Sequence, residues 1–199
     1  VLHSFSDFNL ASGDTALYTD NSVDLNTART ILTRITGNNE SLLSGRIESL
    51  YPSADLIFVN PNGVFYGSTF ELDVRQSFHS STADFLEMDD GTRINFTGVG
   101  VTDPIPDLSV AVPYAWGFLD AGPSTNDIVV EGFSLVESSQ PGEAAELSFI
   151  ADNVEIVTDL QTNARSLIVV GVGTSGRVEG FDGGFGSAVD SVKTTSLLG

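Results

Sequence analysis

Carboxylates are the commonest groups in this chain that could do chemistry, with 27 Asp and Glu against 8 Lys and Arg. Glycosidic cleavage needs two convergent carboxyl groups. Asp89-Asp90, Asp103 with Asp107, and Asp152 with Glu155 and Asp159 bring acids close in sequence. Neighbouring residues on a strand point to opposite faces and acid-rich corners are ordinarily solvated, so these clusters signal catalysis weakly. Calcium could use such loops, but neither the EF-hand spacing nor a repeated Gly-Asp nonapeptide is present. His3 and His79 lie in separate segments with no motif joining them, which leaves a metal site or a triad poorly supported. Gly171 to Gly176, GVGTSG, lacks the Lys of a phosphate loop and reads as a turn. No catalytic residue, metal ligand or cofactor is expected.

Charge and composition narrow the partners. A net charge of -19 over 199 residues repels phosphate backbones and anionic bilayers, so neither nucleic-acid binding nor stable membrane insertion is expected. No apolar run approaches the roughly 20 residues of a spanning helix. Cysteine is absent, which fits a reducing compartment or a protein exported without crosslinks. The 41% hydrophobic content, with 13 Phe, supplies a core for one domain over residues 1–199. The start at Val1 without Met, and an end at Gly199 without a closing signal, are read as part of something longer.

The polar residues with the most specific spacing are Asn60-Pro61-Asn62-Gly63. Asn opens a type I turn through its side chain, Pro presets φ, the second Asn tolerates the bridge region and Gly closes it. Short apolar runs flank this corner, Leu56 to Val59 before and Val64 to Tyr66 after. Phe70, Leu72 and Val74 then alternate with Glu71 and Asp73. Strand, corner, strand is the result, with no room for helical crossovers. The best helical candidate is Thr27 to Gly37, where Ala28, Ile31, Leu32 and Ile35 follow helical spacing; its Thr and Ile also favour a strand. Arg29 and Arg34 there read as a salt-bridged surface. Further short strands run to Val170, broken by small polar corners such as Asp152-Asn153, Thr162-Asn163 and Ser139-Gln140-Pro141-Gly142.

This rhythm suits a sandwich or barrel, or a parallel β-helix with about three short strands per coil of roughly 20 residues. Ile128, Leu147 and Leu167 stand 19 and 20 residues apart, which matches one coil each. A solenoid needs a terminal cap, and Val1 to Gly45, about 1–45, is the less periodic part. Coils would fill about 46–199, with a proline-interrupted excursion near 98–125.

Leu2 to Leu10, Ile31 to Gly37, Leu56 to Gly67 with its NPNG, and Leu72 to Phe78 resemble, in that order, the N-terminal domain of two-partner secretion exoproteins, the filamentous haemagglutinin or haemagglutination activity domain. The likeness continues through Ser80 to Leu86 and Val112 to Leu119, and SFHSSTADFL is similar to cyanobacterial members. The resemblance implies an all-β fold: a right-handed parallel β-helix with an N-terminal β cap and small extra-helical β elements. It also implies a secretion address without catalytic activity, bound in the periplasm by the POTRA domains of an outer-membrane TpsB transporter. The exoprotein would be secreted or surface-held on a Gram-negative-type bacterium, and folding outside the cell would proceed coil by coil.

Asn60, Pro61, Asn62 and Gly63 match the family's NPNG motif. Its second motif, NPNL, has no literal match, and Phe8 to Gly13 stand in that neighbourhood. POTRA recognition by strand addition would suit two amphipathic segments, Phe5 to Leu10 and Phe70 to Val74. His3, Phe5, Phe8, Asn9, Phe70, Leu72 and Val74 are the candidate recognition residues. A monomer is expected. The alternative is an adhesin module binding host or cell-surface glycans through exposed aromatics such as Tyr114 or Trp116, with a β-helical polysaccharide lyase or hydrolase behind it.

Overall fold

A computed structural model describes residues 1–19, 27–97, 112–119, 127–135, 146–157, 160, 166–173 and 175–179. Short β-rich runs broken by Gly, Asn and Asp cannot propagate helices, and among the described residues there are none. The chain winds instead. The first turn carries β1 (Leu2–Phe5), an isolated bridge at Leu10 and β2 (Thr15–Tyr18). The second carries β3 (Thr30–Ile35), β4 (Ser41–Leu43) and β5 (Arg46–Ser49). The third carries β6 (Asp55–Val59), β7 (Val64–Tyr66) and β8 (Glu71–Asp73). The fourth opens with β9 (Phe78–Ser81), departs through β10 (Phe85–Met88), β11 (Arg93–Asn95) and β12 (Pro113–Phe118), and returns as β13 (Asp127–Val130) and β14 (Ser134–Leu135). β15 (Glu146–Ala151), β16 (Asn153–Ile156), β17 (Ser166–Gly171) and β18 (Gly176–Glu179) complete the order.

Three parallel sheets form the walls of a β-helix: β1-β3-β6-β9-β15-β17, β4-β7-β13-β16 and β2-β5-β8-β14. A fourth, antiparallel sheet, β11-β10-β12-β18, stands outside the coil. The all-β solenoid with extra-helical strands read from the sequence is therefore what the chain forms.

Two local readings change. Thr27 to Gly37 is not a helix, because β3 pairs in parallel with β1 and β6. Its helix-like spacing arises because both faces of this strand are buried: Ile31 and Ile35 point into the coil, and Leu32 points out against the antiparallel sheet. Ile128 does not belong to the series of Leu147 and Leu167; it pairs with Val64 and Val154 in another wall. Real coil steps in the long wall run Ile31 to Leu56 to Phe78, 25 and 22 residues, then 69 residues to Leu147 across the antiparallel excursion, and 20 to Leu167. The loop from Gly98 to Asp107, Ser139 to Gly142, Thr162-Asn163, Asp159 and Gly183 to Gly186 lie outside the described residues.

Two cores result. Inside the coil, Ile31, Leu56, Phe78 and Leu147 stack in register, with Tyr66, Phe70, Phe133 and Phe149 edge-to-face or tilted at 4.7–5.7 Å. The second core lies where Leu32, Ile57, Val59 and Ile150 meet Leu86, Met88, Ile94, Trp116, Phe118 and Val178 of the antiparallel sheet. The unbroken Leu56-Ile57-Phe58-Val59 run is the sequence mark of a strand covered on both sides. Each such side chain, fully buried, contributes about 1.5–3 kcal/mol.

Two tyrosine hydroxyls inside the coil are paired. Tyr18 Oη lies 2.9 Å from Thr33 Oγ1, and Tyr66 Oη donates to Ser80 Oγ at 2.7 Å. Burial pushes the Tyr18 phenol up to about 12 and raises Tyr66 as well, so both hydroxyls remain protonated.

Candidate recognition site: the NPNG corner and the N-terminal rim

The corner at Asn60 follows directly from the end of β6. Gly63 N–H donates to Asn60 O at 3.1 Å and closes the turn, and Gly63 has φ 115°, which an L side chain tolerates poorly. Asn60 is fully buried. Its Nδ2 donates to Asn39 O at 3.0 Å and Ser41 Oγ at 2.9 Å, while its Oδ1 accepts from the N–H and the Nδ2 of Asn62, both at 3.0 Å. Asn62 Nδ2 also donates to Gly37 O at 2.9 Å. Asn60 N–H meanwhile donates to Ser81 O of the next coil. The motif thus staples three successive coils, and the hydrogen-bonding capacity of the Asn60 amide is used within the protein.

The ladder continues toward the N-terminus. Asn39 Nδ2 donates to Asp7 Oδ1 at 2.7 Å, Asn9 Oδ1 accepts from Leu42 N–H at 2.8 Å, and Gly37 N–H donates to Ser6 O at 3.1 Å. A β-carbon at Gly37 would overlap the Ser6 carbonyl. Asn9 therefore occupies in the first coil a stapling position comparable to that of Asn60 in the third, without any literal motif there.

Beyond that ladder lies the rim. β1 is the terminal strand of its sheet. Val1 O and Phe5 O accept from Leu32 and Thr36 of the second coil. By alternation the N–H and C=O of Leu2 and Ser4 face the edge that no strand among the described residues pairs. Over the end of the coil lies an aromatic group: His3 5.5 Å from Tyr18 and 6.4 Å from Phe5, Phe5 5.2 Å from Phe8, and Phe8 5.2 Å from Phe58. Phe5 keeps 37% of its surface exposed, and Leu17 on β2 is exposed too. Partial burial, and secondarily the neighbouring N-terminal charge, lower the His3 pKa, which favours a neutral ring.

The other expected recognition segment is placed differently. Phe70 and Leu72 lie in the interior core with Val74 packed against it, and β8 is paired on both edges, by β5 and β14. The structure thus gathers His3, Phe5, Phe8 and Asn9 at one rim, places Asn60 to Gly63 two coils away, and seals Phe70 and Leu72 inside. Sequence reading missed Arg34. Rather than a surface pair, it is 1% exposed and donates from Nε to Ser4 Oγ at 2.7 Å, tying β1 to β3; Arg29 is exposed. Alternation with Leu32 marked its face, but nothing in the sequence showed that this face is covered.

The alternatives lose ground in the same geometry. Asp89 Oδ1 accepts from Val112 N–H and fastens the start of β12, and Asp90 Oδ1 accepts from Thr92 N–H within a turn, so each of these acids has a structural partner. Among the described residues no group of three His, Asp or Glu is arranged to hold a metal ion. Trp116 is buried, which overturns its reading as an exposed aromatic; Tyr114 is 42% exposed, 5.2 Å from the Arg177 guanidinium.

Parallel walls of short strands, stapled Asn corners and an antiparallel flap define a β-helical module whose polar motif serves its own coil stacking. The profile of the TPS secretion domain matches residues 1–188, so the chain belongs to that family. It is a two-partner secretion domain, a targeting module of secreted exoproteins that leave through the outer membrane with TpsB transporters. Comparison with curated proteins returned no match.

Proposed function

We propose that this domain is recognised in the periplasm by the POTRA domains of its transporter, and that the N-terminal rim is the surface they bind. The supporting observation is the open edge of β1. Among the described residues no strand pairs with the outer edge of β1, where Leu2 and Ser4 lie beside exposed Phe5, and such an edge is what an added strand requires, whereas β8 has no free edge. The NPNG corner acts upstream of recognition by locking the first coils together. Once those coils stand, each further coil packs on its neighbour, and growth outside the cell opposes backsliding through the pore. Residues 1–45, as the cap of the stack, would carry the rim that the transporter reads. The whole domain performs no catalysis in this reading.

Export of a reporter fused behind this chain, with and without the transporter, tests the assignment. Reporter outside the cell only when the transporter is present supports it, and deletion of 1–10 should abolish export. Export independent of the transporter would overturn the reading. A surface-binding role retains Tyr114 alone of its two aromatics, and retention on a glycan array lost in Tyr114→Ala would mark it.

A further inference from the structure

The sequence contains a single Asn-Gly pair, Asn62-Gly63, and it lies at the corner that staples the coils. Asn is among the chemically labile residues. A following Gly exposes it most, because no β-carbon hinders the next backbone nitrogen. In the reaction, hydroxide removes the Gly63 amide proton and the nitrogen bonds to Asn62 Cγ. The Cγ–Nδ2 bond breaks, and Nδ2 leaves as ammonia with a proton from water. The resulting five-membered imide then adds water and opens to Asp or to isoaspartate. Nothing is oxidised or reduced; water replaces ammonia.

The folded corner opposes each step. The attacking Gly63 N–H is committed to Asn60 O at 3.1 Å. The leaving Nδ2 holds Gly37 O at 2.9 Å and Asn60 Oδ1 at 3.0 Å. Gly63 is buried and Asn62 half-buried, which limits access of base. Ring closure would have to break all three hydrogen bonds at once.

The products do not fit the corner. Asp would set a carboxylate oxygen where a donor now faces two acceptors, Gly37 O and Asn60 Oδ1, at a site of low water access. Isoaspartate adds a methylene to the main chain inside a four-residue turn.

We infer that Asn62 is a conditional modification site, silent while the corner is folded and reactive while the chain is unfolded, so that the corner records time spent unfolded and withdraws aged chains from folding. This inference concerns the chain alone and does not depend on which partner reads the rim.

The test holds the chain folded in buffer and unfolded in guanidinium chloride, at one mildly alkaline pH and temperature. A short peptide spanning 58–67 calibrates the two solvents. The mass and isoaspartate content of the Asn62 peptide are followed, and refolding is then read by the fluorescence of buried Trp116. Modification should be at least about tenfold faster in the unfolded chain, the factor given by about 1.4 kcal/mol of corner opening, and modified chains should collect in the fraction that fails to refold. Equal rates in the two states, or full refolding of modified chains, would overturn the inference. Asn62→Asp supplies the Asp product without ageing. Its denaturation midpoint should fall below that of the parent chain, and an unchanged midpoint would equally overturn it.

Discussion

The side-chain amide of Asn60 lies 3.0 Å from the carbonyl oxygen of Asn39, one coil below it, and through that contact the NPNG turn is fastened to the coil beneath. A buried amide with every hydrogen bond made is costly to disturb from either side, because removing it strands its partners in a place water does not reach.

Asn60→Ala should therefore destabilise the domain by about 3 kcal/mol, since Ser41 and Asn62 lose buried partners. Asn62→Ala, which leaves the Asn60 contacts to Asn39 and Ser41 in place, should cost about 1 kcal/mol and reduce reporter export less. Denaturant unfolding followed by Trp116 fluorescence measures both. Equal losses would contradict the staple geometry.

Acid should loosen the contact between the long wall and its flap through His79. This ring is buried, with Nδ1 2.7 Å from Ser148 Oγ and 4.0 Å from Glu146 Oε1, and burial lowers its pKa from 6.5 to about 4. The unfolded chain takes up the proton first as pH falls, so stability conferred by the neutral ring is complete above about 6.5 and is lost between there and about 4. The loss attributable to this group is about 3 kcal/mol. In His79→Gln the acid limb of the stability curve should flatten by that amount relative to the parent, and parallel curves would contradict it.

Much of the solenoid was legible because its signals are local. The NPNG turn, the strand pairs around it and the alternation at Phe70, Leu72 and Val74 need only neighbours along the chain, and each lies where that pattern places it. What was hidden depends on coverage from afar. Leu32, Arg34 and Trp116 are buried among elements distant in the sequence, so helical spacing at Leu32, surface charge at Arg34 and an exposed ring at Trp116 were each the natural local reading. The coil step was obscured likewise, because the antiparallel excursion between β9 and β13 interrupts the periodic spacing. At the rim, amphipathic pattern alone could not separate β1 from β8; only the pairing order shows that β1 ends its sheet among the described residues while β8 is filled on both edges.

The flap should respond as a unit of its own. Trp116→Ala removes the largest side chain of the second core and should cost about 4 kcal/mol, with amide exchange rising at Leu86, Ile94 and Val178 before it rises at Leu56 or Phe78. Gly117→Ala tests the outer face of the same sheet, where a β-carbon would overlap the Phe85 ring that also carries Arg93 at 4.3 Å. Displacing that ring should cost about 1–3 kcal/mol. Uniform exchange across wall and flap would show that the two cores melt together.

Transporter recognition through an open strand edge makes a sharper demand, and binding of the folded domain to the isolated POTRA region of its transporter is the measurement that meets it most directly. Ser4→Pro removes an outward N–H at the β1 edge; Ser4→Ala, which loses the same hydroxyl contact to Arg34 but keeps that N–H, is its control. The expected result is micromolar binding, about 8 kcal/mol, by the parent and by Ser4→Ala, and a loss of at least about tenfold in Ser4→Pro. Equal binding by Ser4→Pro and Ser4→Ala, or no binding by the parent chain in the folded state, would contradict recognition at this rim.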